Sequence, residues 1–273
     1  MENGTITYTQ LLREDLGIFR VTPDDGVPDF KAGQFLTLGL PLESKIVTRA
    51  YSIASSPENK QYIEFVIRWV RKPLPGRLTS LLFNAKEGDK ISLTKPAGTL
   101  TINDTLPNGE KDTRRIVCIG GGTGLAPFVS FAQHLHDTHD KREIIVLHGA
   151  SYVDELSYKQ LLTDLENESI DKGTDKWNFK YRAAISRPQE WTNRAWHGHK
   201  GRIEQFLRTS DSGKSPLEEL VGEKITKDNT IFYVCGWQGT IDGVMDYLKA
   251  KNFVTEKNKR EDGSYEVKFE SYG

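Results

Sequence analysis

The sequence predicts two domains: an N-terminal antiparallel β-barrel, followed by an α/β domain with a doubly wound parallel sheet. The first hundred residues contain short strand-like segments separated by turn residues, a pattern typical of an antiparallel barrel. Beyond residue 115, buried-looking strands alternate with helical segments, which favours a parallel sheet. The polar, Pro/Gly-containing segment Asn103–Arg115 separates the two patterns, so we predict domains of residues 1–106 and 107–273.

Four segments of the first domain have the length and composition of β-strands. They are Gly33–Leu40, Arg49–Ser55, Tyr62–Val70 and Asp89–Lys95. In the third segment Ile63, Phe65 and Ile67 alternate with other residues, so one face of this strand should be buried. A short helix is predicted over Leu78–Asn84.

The second domain contains four predicted strands and four predicted helices in alternation. The strands are Arg115–Ile119, Glu143–Leu147, Lys180–Ile185 and Thr230–Val234. The helices are Ala126–His136, Glu155–Leu165, Ile203–Leu207 and Thr240–Lys251. This order of elements predicts parallel strands joined by helical crossovers.

Composition excludes several classes of protein. The chain has 273 residues with a formal net charge of −1, so general nucleic-acid binding is not expected. Two cysteines are too few for a disulfide framework, an iron–sulfur ligand set or a structural zinc site. The absence of an 18-residue apolar run predicts no membrane span, and the N-terminal residues do not resemble a signal peptide. We therefore expect a cytoplasmic protein.

A glycine-rich turn follows the first strand of the second domain, within "RIVCIGGGTGLAPF" (Arg115–Phe128). Glycines allow close approach of a ligand to the backbone, and the helix start that follows favours a phosphate. The turn lacks the Gly-Lys-Ser/Thr of a Walker loop, and Leu125 stands where G-x-G-x-x-G needs its last glycine. The acidic residue expected after the second strand is also missing. The turn therefore predicts a ligand without identifying it, and a tight turn without a ligand is the alternative.

Seven motifs, taken in order, carry a resemblance that spans nearly the whole chain. They are "RAYSIASSP", "PGRLTSLL", "KPAGTL", "GGGTGLAPF", "DELSY", "ISR" and "VCG". In this order they resemble the ferredoxin–NADP⁺ reductase family, especially the bacterial type that also serves flavodoxin. The resemblance implies that FAD binds the barrel and NADP(H) binds the α/β domain. It also implies an oxidoreductase that moves electrons between NADPH and a one-electron carrier, by hydride transfer at flavin N5.

The resemblance assigns flavin-binding roles to two stretches of the first domain. Arg49 would pair with the FAD pyrophosphate, Tyr51 would lie against the isoalloxazine ring, and Ser52 would lie near flavin N5. Thr79 would contact the pyrophosphate at a helix N-terminus. The further candidate residues are Ala50, Ile67, Gly76, Leu78 and Ser80. A surface salt bridge is the alternative for Arg49, and a half-buried barrel position is the alternative for Tyr51.

In the second domain the resemblance implies a nicotinamide-nucleotide site. Its candidate residues are Gly122, Thr123, Gly124, Ser186, Arg187, Arg202, Cys235 and Gly236. Ser186 and Arg187 match the pattern of NADP users, because a 2′-phosphate needs cations. Solvated surface charges are the alternative for both arginines. The resemblance makes Ser52, Cys235 and Tyr272 the candidate catalytic residues, and Tyr272 would cover the flavin from the C-terminal tail. The alternative for Cys235 is a buried core thiol. The alternative for Tyr272 is a frayed terminus.

The histidines of "QHLHDTHD" and "WHGHK" lack further ligands, so no metal site is predicted.

Between Arg68 and Lys95 the chain has seven basic residues and two acids. We expect this basic strip, near Arg71, Lys72 and Lys90, to attract an acidic ferredoxin or flavodoxin. The protein is expected to be a monomer. The alternatives are the reductase component of an oxygenase, an NAD(P)H–flavin reductase, and a nucleotide-binding regulatory subunit without turnover.

Overall fold

The computed structural model describes residues 2–71, 74–172, 177–211 and 213–272, with the side chains of residues 171 and 172 left out. Its contacts divide the chain into two compact units. The first unit holds residues 1–101 and 126–138, and the second holds residues 102–125 and 139–273. A helix that follows the glycine-rich turn in sequence therefore packs with the first unit.

The first unit is built on six antiparallel strands. They are β1 (Gly4–Arg13), β2 (Leu16–Pro23), β3 (Phe35–Leu42), β4 (Lys45–Ser52), β5 (Ile63–Arg68) and β6 (Lys90–Leu93), in the spatial order β4-β3-β6-β1-β2-β5. Beyond β4, the Ala54 N–H donates to the Glu64 carbonyl in β5 at 2.8 Å, which joins the two edges of the sheet. The antiparallel prediction is confirmed, but β1 and β2 were not predicted, and β4 begins four residues before Arg49 and ends at Ser52.

Two helices cover this sheet. Helix α1 (Arg77–Asn84) packs against β3 and β4, and its Leu78 and Leu82 lie in the barrel core. Helix α2 (Ala126–Asp137) docks on the segment after β4 through two side chains. The buried Ser130 hydroxyl donates to the Ser55 carbonyl at 2.7 Å, and the Gln133 amide donates to the Ala54 carbonyl at 2.9 Å.

The second unit is built on six parallel strands. They are β7 (Arg115–Gly121), β8 (Ile144–Ala150), β9 (Phe179–Ile185), β10 (His199–Lys200), β11 (Thr230–Gly236) and β12 (Val267–Ser271), in the spatial order β10-β9-β8-β7-β11-β12. The chain proceeds outward from β7 on one side and then returns to the other side at β11. This doubly wound order confirms the predicted fold class and places a topological switch point between β7 and β11.

The helices of the second unit differ in part from prediction. They are α3 (Lys159–Lys172), α4 (Pro216–Val221) and α5 (Gln238–Ala250). The predicted helix from Glu155 begins only at Lys159, because Val153–Glu155 forms a 3₁₀ turn first. The predicted helix Ile203–Leu207 is a 3₁₀ turn. None of the helices among the described residues is long and apolar enough to cross a membrane.

Candidate functional site

Strand β4 ends in the first unit with four consecutive candidate residues, Arg49 to Ser52, of which Ala50 is exposed. Arg49 is exposed, and its guanidinium donates to the Thr48 carbonyl at 2.8 Å. Tyr51 is half-buried on the barrel core, and burial raises its pKa to about 12 although Arg49 opposes the shift. Ser52 is 5% exposed. The exposed cation and the half-buried ring lie on one face of the strand, as their spacing predicts.

The N-terminus of α1 offers free backbone donors. An α-helix leaves its first N–H groups without intrahelical acceptors, and no side chain of the described residues caps those of α1. The Gly76 carbonyl instead accepts from the Thr79 hydroxyl at 3.1 Å and from the Ser80 hydroxyl at 2.8 Å. The Thr79 backbone N–H is one of these uncapped donors, and the first turn has no acidic side chain to repel an anion.

Ser80 and Ile67 have structural partners that the sequence did not indicate. The Ser80 hydroxyl accepts a hydrogen bond from the Trp69 indole at 3.1 Å while donating to Gly76, and its backbone N–H also donates to Gly76, at 2.9 Å. Ile67 is 1% exposed within the barrel core. Trp69 was missed because it falls inside the predicted strand Tyr62–Val70, whereas β5 ends at Arg68 and leaves Trp69 outside the strand.

The glycine-rich loop of the second unit runs from the end of β7 through a 3₁₀ turn, Gly122–Leu125. A Cβ on Gly120 would lie 2.8 Å from the Leu125 Cα, and one on Gly121 would lie 2.8 Å from the Thr240 hydroxyl. One on Gly124 would lie 2.6 Å from the Cys235 carbonyl carbon. These three glycines therefore serve close packing, and the loop lies directly against the end of β11.

Gly122 differs from the other glycines of the loop. Its φ of +57° is left-handed, and no described atom lies within 4 Å of a Cβ built there. The half-buried Thr123 follows it. This open backbone lies at the switch point of the sheet, which is where doubly wound folds bind ligands.

Cys235 and Tyr272 come together at the end of β11. The Cys235 thiol is fully buried, and burial raises its pKa, while a hydrogen bond from the Tyr272 side chain opposes the rise. The Tyr272 N–H donates to the Gly236 carbonyl at 3.0 Å. The tail is therefore an ordered strand, β12, which corrects the reading of a frayed terminus.

Glu270 is a site residue that the sequence reasoning missed. It pairs in register with Cys235, and burial raises the pKa of its carboxyl. Its Oε2 is buried and has no hydrogen-bond partner among the described residues. Only the pairing of β12 with β11 places this carboxyl beside the thiol.

Ser186 and Arg187, two of the three residues predicted to bind a 2′-phosphate, directly follow the carboxyl end of β9, next to the end of β8. The Ser186 N–H donates to the Ala150 carbonyl at 2.9 Å, and the exposed Arg187 donates to the Tyr152 hydroxyl at 2.8 Å. The buried amide of Asn193 donates to the Arg187 carbonyl at 2.8 Å and thereby fixes this turn. Tyr152 and Asn193 were not predicted.

Arg202 is less available for a phosphate than Arg187. Its guanidinium pairs with Glu204 at 2.5 Å and donates to the Gly239 carbonyl at 3.2 Å. Arg187 has a phenol rather than a carboxylate as its partner. Of the two arginines, Arg187 therefore retains the larger uncompensated charge.

The basic strip carries less net charge than its sequence suggests. Arg71 pairs with Glu14 at 3.3 Å, Lys90 pairs with Asp24 at 2.9 Å, and Arg68 pairs with Asp15 at 2.9 Å. All three acids come from outside the stretch Arg68–Lys95. Lys72, the third cation named for the strip, lies outside the described residues.

Comparison with known proteins matches both units to one family of enzymes. An oxidoreductase FAD-binding domain matches residues 4–102, and an oxidoreductase NAD-binding domain matches residues 118–246. The ferredoxin–NADP reductase of Azotobacter vinelandii is 30% identical over 238 residues, covering 86% of this chain and 84% of that protein. The reductase component of propane 2-monooxygenase from Mycolicibacterium goodii is 28% identical over 243 residues, covering 87% of this chain and 60% of that protein.

A solved structure shares the fold. The crystal structure of a ferredoxin NADP⁺ reductase from Neisseria gonorrhoeae with bound FAD and NADP has a TM-score of 0.75 at 22% sequence identity. The match covers 98% of this chain and 97% of that one. The FAD-binding and NAD-binding domain matches and the similarity to the Azotobacter reductase establish that the chain belongs to the ferredoxin–NADP reductase family of oxidoreductases.

Proposed function

We propose that the protein moves electrons between NADPH and a one-electron carrier of the ferredoxin or flavodoxin type, with FAD as its bound cofactor. The main support is the switch point of the second unit, where the glycine-rich loop meets Cys235 and Gly236, which Tyr272 contacts from the C-terminal tail. This arrangement combines an open backbone with a buried, neutral thiol, which suits the positioning of a nicotinamide rather than covalent attack on it.

The first unit has groups that fit FAD. The uncapped N-terminus of α1 suits a pyrophosphate, and the exposed Arg49 adds a cation that can bind phosphate bidentately. The half-buried Tyr51 offers an aromatic face to a planar ring. FAD, when bound, supplies the conversion between hydride transfer and single-electron transfer. Ser52, at the buried end of β4, would contact the flavin.

In the second unit, Gly122–Gly124 would hold the pyrophosphate side of the nucleotide, and Cys235 would contact the nicotinamide. Burial raises the pKa of the Cys235 thiol, so this thiol stays protonated and acts by contact and orientation. The Glu270 carboxyl, whose pKa burial also raises, is placed beside it by the pairing of β12 with β11.

Arg187 would select NADPH over NADH. A charge-assisted hydrogen bond contributes about 1.5–3 kcal/mol, which corresponds to a preference of about tenfold or more. We expect R187A to lose most of this preference by raising the KM for NADPH while leaving that for NADH unchanged. R202A is the matched control, because Arg202 is already paired with Glu204, and it should have the smaller effect. Equal use of both nucleotides by the wild type would contradict the assignment.

The whole proposal has a direct test. Purified protein should retain FAD and appear yellow, and it should oxidise NADPH with a dye, with ferredoxin and with flavodoxin, each assayed separately. A colourless protein that cannot be loaded with FAD would refute the proposal. We propose a monomer, which analytical ultracentrifugation would check.

The acidic carrier would dock on the basic strip, although the ion pairs with Glu14 and Asp24 reduce the attraction. K90E leaves Asp24 without its partner and should slow carrier reduction, more so at low salt. NADPH-driven dye reduction is the control, since a small dye needs no protein docking. Unchanged rates with both carriers at low salt would remove the strip from the docking surface.

A second candidate is the reductase component of an oxygenase, which the similarity to the propane 2-monooxygenase reductase component supports. In that case the electrons would pass to an oxygenase partner or its own iron–sulfur protein. Rapid reduction of free ferredoxin and flavodoxin would favour the first proposal. Slow reduction of both, together with fast dye reduction, would favour the second.

A further inference from the structure

An open cleft of about 910 Å³ lies at the amino end of β11, in the second unit. Residues 226–228 line it, just before β11 begins at Thr230. The glycine-rich loop lies at the other end of this strand, where Gly124 packs against Gly236. Because a strand of seven residues spans about 20 Å, the cleft is separate from the proposed nucleotide site.

The lining of the cleft is strongly basic, although the whole chain has a formal net charge of −1. Its cationic side chains are Lys214, Lys224, Lys227, Lys251 and Arg260. Its acidic side chains are Glu218 and Asp228. Five positive and two negative charges leave a formal charge of +3 on this surface.

Two of the five cations are neutralised by carboxylates. The buried Glu218 carboxylate lies 3.1 Å from the Lys251 ammonium and also accepts from the Ser215 N–H at 2.9 Å. Arg260 pairs with Glu266 at 2.5 Å. Lys251 and Arg260 therefore add little attraction for a ligand.

The other three cations, Lys214, Lys224 and Lys227, keep their charge. All three are exposed, and no carboxylate of the described residues lies within ion-pair distance of their amino groups. Asp228, the exposed acid of the lining, offsets one of the three charges. The cleft is therefore a local positive surface that attracts anions.

A fixed turn presents Lys224 and Lys227 to the cleft. The Asn229 side chain accepts from the Thr226 N–H at 2.9 Å and donates to the Lys224 carbonyl at 2.9 Å. Because this backbone is already held, less conformational entropy is lost when a ligand pairs with the two lysines.

The base of the cleft is apolar. Ile225 and Phe253 line it and are only 5% and 4% exposed. Pockets for small organic molecules have volumes of about 300–1,000 Å³ and combine such apolar surface with a few polar groups. Concavity on this scale favours a small molecule over the flat contact that a protein partner makes.

We propose that this cleft binds a small organic polyanion, whose phosphate or carboxylate groups pair with Lys224 and Lys227 while its body lies on Ile225 and Phe253. Lys214 adds a third cation from the opposite segment of the lining. The proposal goes beyond electron transfer and does not depend on it, since the cleft shares no residue with the proposed nucleotide site.

The test is isothermal titration calorimetry of the full-length protein, saturated with NADP⁺ so that the nucleotide loop is occupied. Pyrophosphate and citrate are the probes, and they distinguish a phosphate ligand from a carboxylate ligand. We expect K224A/K227A to weaken binding about fivefold to tenfold, because each exposed ion pair contributes modestly. Added salt should weaken wild-type binding as well.

The matched control is K111A/K141A, which removes the same charge from exposed positions of the second unit. We expect it to change the affinity by less than about twofold, because charges far from the cleft are screened. Neither double variant should alter the affinity for NADP⁺.

Binding of either probe that is lost in K224A/K227A and kept in K111A/K141A would support the proposal and identify the anionic group. Equal weakening in both variants, or no binding of either probe with a Kd of about 1 mM or tighter, would overturn it. Binding of poly-glutamate but of neither small anion would also overturn it, in favour of a protein partner. Failure to bind NADP⁺ would refute the proposed function alone, because the comparison of the two variants still tests the cleft.

Discussion

Replacing Gly124 by alanine should destabilise the second unit far more than the same change at Gly122, only two residues earlier. A Cβ at Gly124 would lie 2.6 Å from the Cys235 carbonyl carbon and 2.7 Å from the Gly236 Cα. Carbon atoms prefer about 3.5–4.0 Å, so the overlap is about 1 Å. Cys235 is held by pairing on both sides, with β7 and with β12, and cannot move aside alone.

The two expected costs differ in origin. Overpacking costs about 1–3 kcal/mol, and a clash between two backbones belongs at the upper end, so we expect about 3 kcal/mol for G124A. At Gly122 an added Cβ meets open space, and only the left-handed φ of +57° opposes it, at about 1 kcal/mol. The predicted difference between the variants is therefore about 2 kcal/mol.

Thermal unfolding of the full-length protein, followed by circular dichroism, measures this difference. For a unit of this size about 2–4 °C in Tm corresponds to 1 kcal/mol, so G124A should lower Tm by about 6–12 °C and G122A by about 2–4 °C. NADP⁺ titration of the folded variants shows whether the loop still binds its ligand. A G124A protein as stable as the wild type, or a G122A protein that is less stable than G124A, would refute the packing argument.

Three further predictions concern His148, Trp69 and Asn193. Burial lowers the pKa of His148 from 6.5 to about 4, so the unfolded state binds more protons than the folded state as the pH falls. The free energy of unfolding should therefore fall by about 2 kcal/mol from pH 7 to pH 5. Urea unfolding at both pH values checks this, and a wild type whose stability has the same pH dependence as that of H148L would contradict it. W69F removes the hydrogen bond to Ser80 and should weaken FAD retention several-fold, measured by ultrafiltration, whereas unchanged retention would separate Trp69 from the flavin site. N193A removes the side-chain hydrogen bond to the Arg187 carbonyl, and leaving that carbonyl unpaired costs about 1–3 kcal/mol. The KM for NADPH should therefore rise while kcat changes little. An equal loss of turnover with NADH would indicate general unfolding instead.

Local patterns predicted most of the fold. Alternation predicted β5, and the apolar runs predicted β7, β8, β9 and β11, because buried parallel strands have a continuous hydrophobic composition. Strand β12 escaped prediction because a short edge strand is stabilised by its neighbour rather than by its own composition. Ile203–Leu207 has helical composition, but the helical segment there is only five residues long, and it forms a 3₁₀ turn instead of an α-helix.

Long-range pairing determined the chemistry of several site residues. Arg71 and Lys90 have the charge that the sequence predicts, but Glu14 and Asp24 pair with them from turns that are distant in the chain. Ser80 matched a phosphate-binding motif, yet its hydroxyl donates to the Gly76 carbonyl and accepts from the Trp69 indole. No periodicity within either segment contains this information, because it depends on which strands become neighbours.

By itself, the sequence determined the two-domain order, the parallel sheet and the glycine-rich loop at the end of its first strand, since these depend on local composition and on the spacing of residues along the chain. Tertiary structure alone decided that Glu270 and Tyr272 meet Cys235, and that His148 and Cys235 both pair in register with Gly120. The physical reason is register: a parallel sheet brings together side chains that are about thirty to one hundred and twenty residues apart, and a shift of one residue in any strand would turn them to the opposite face.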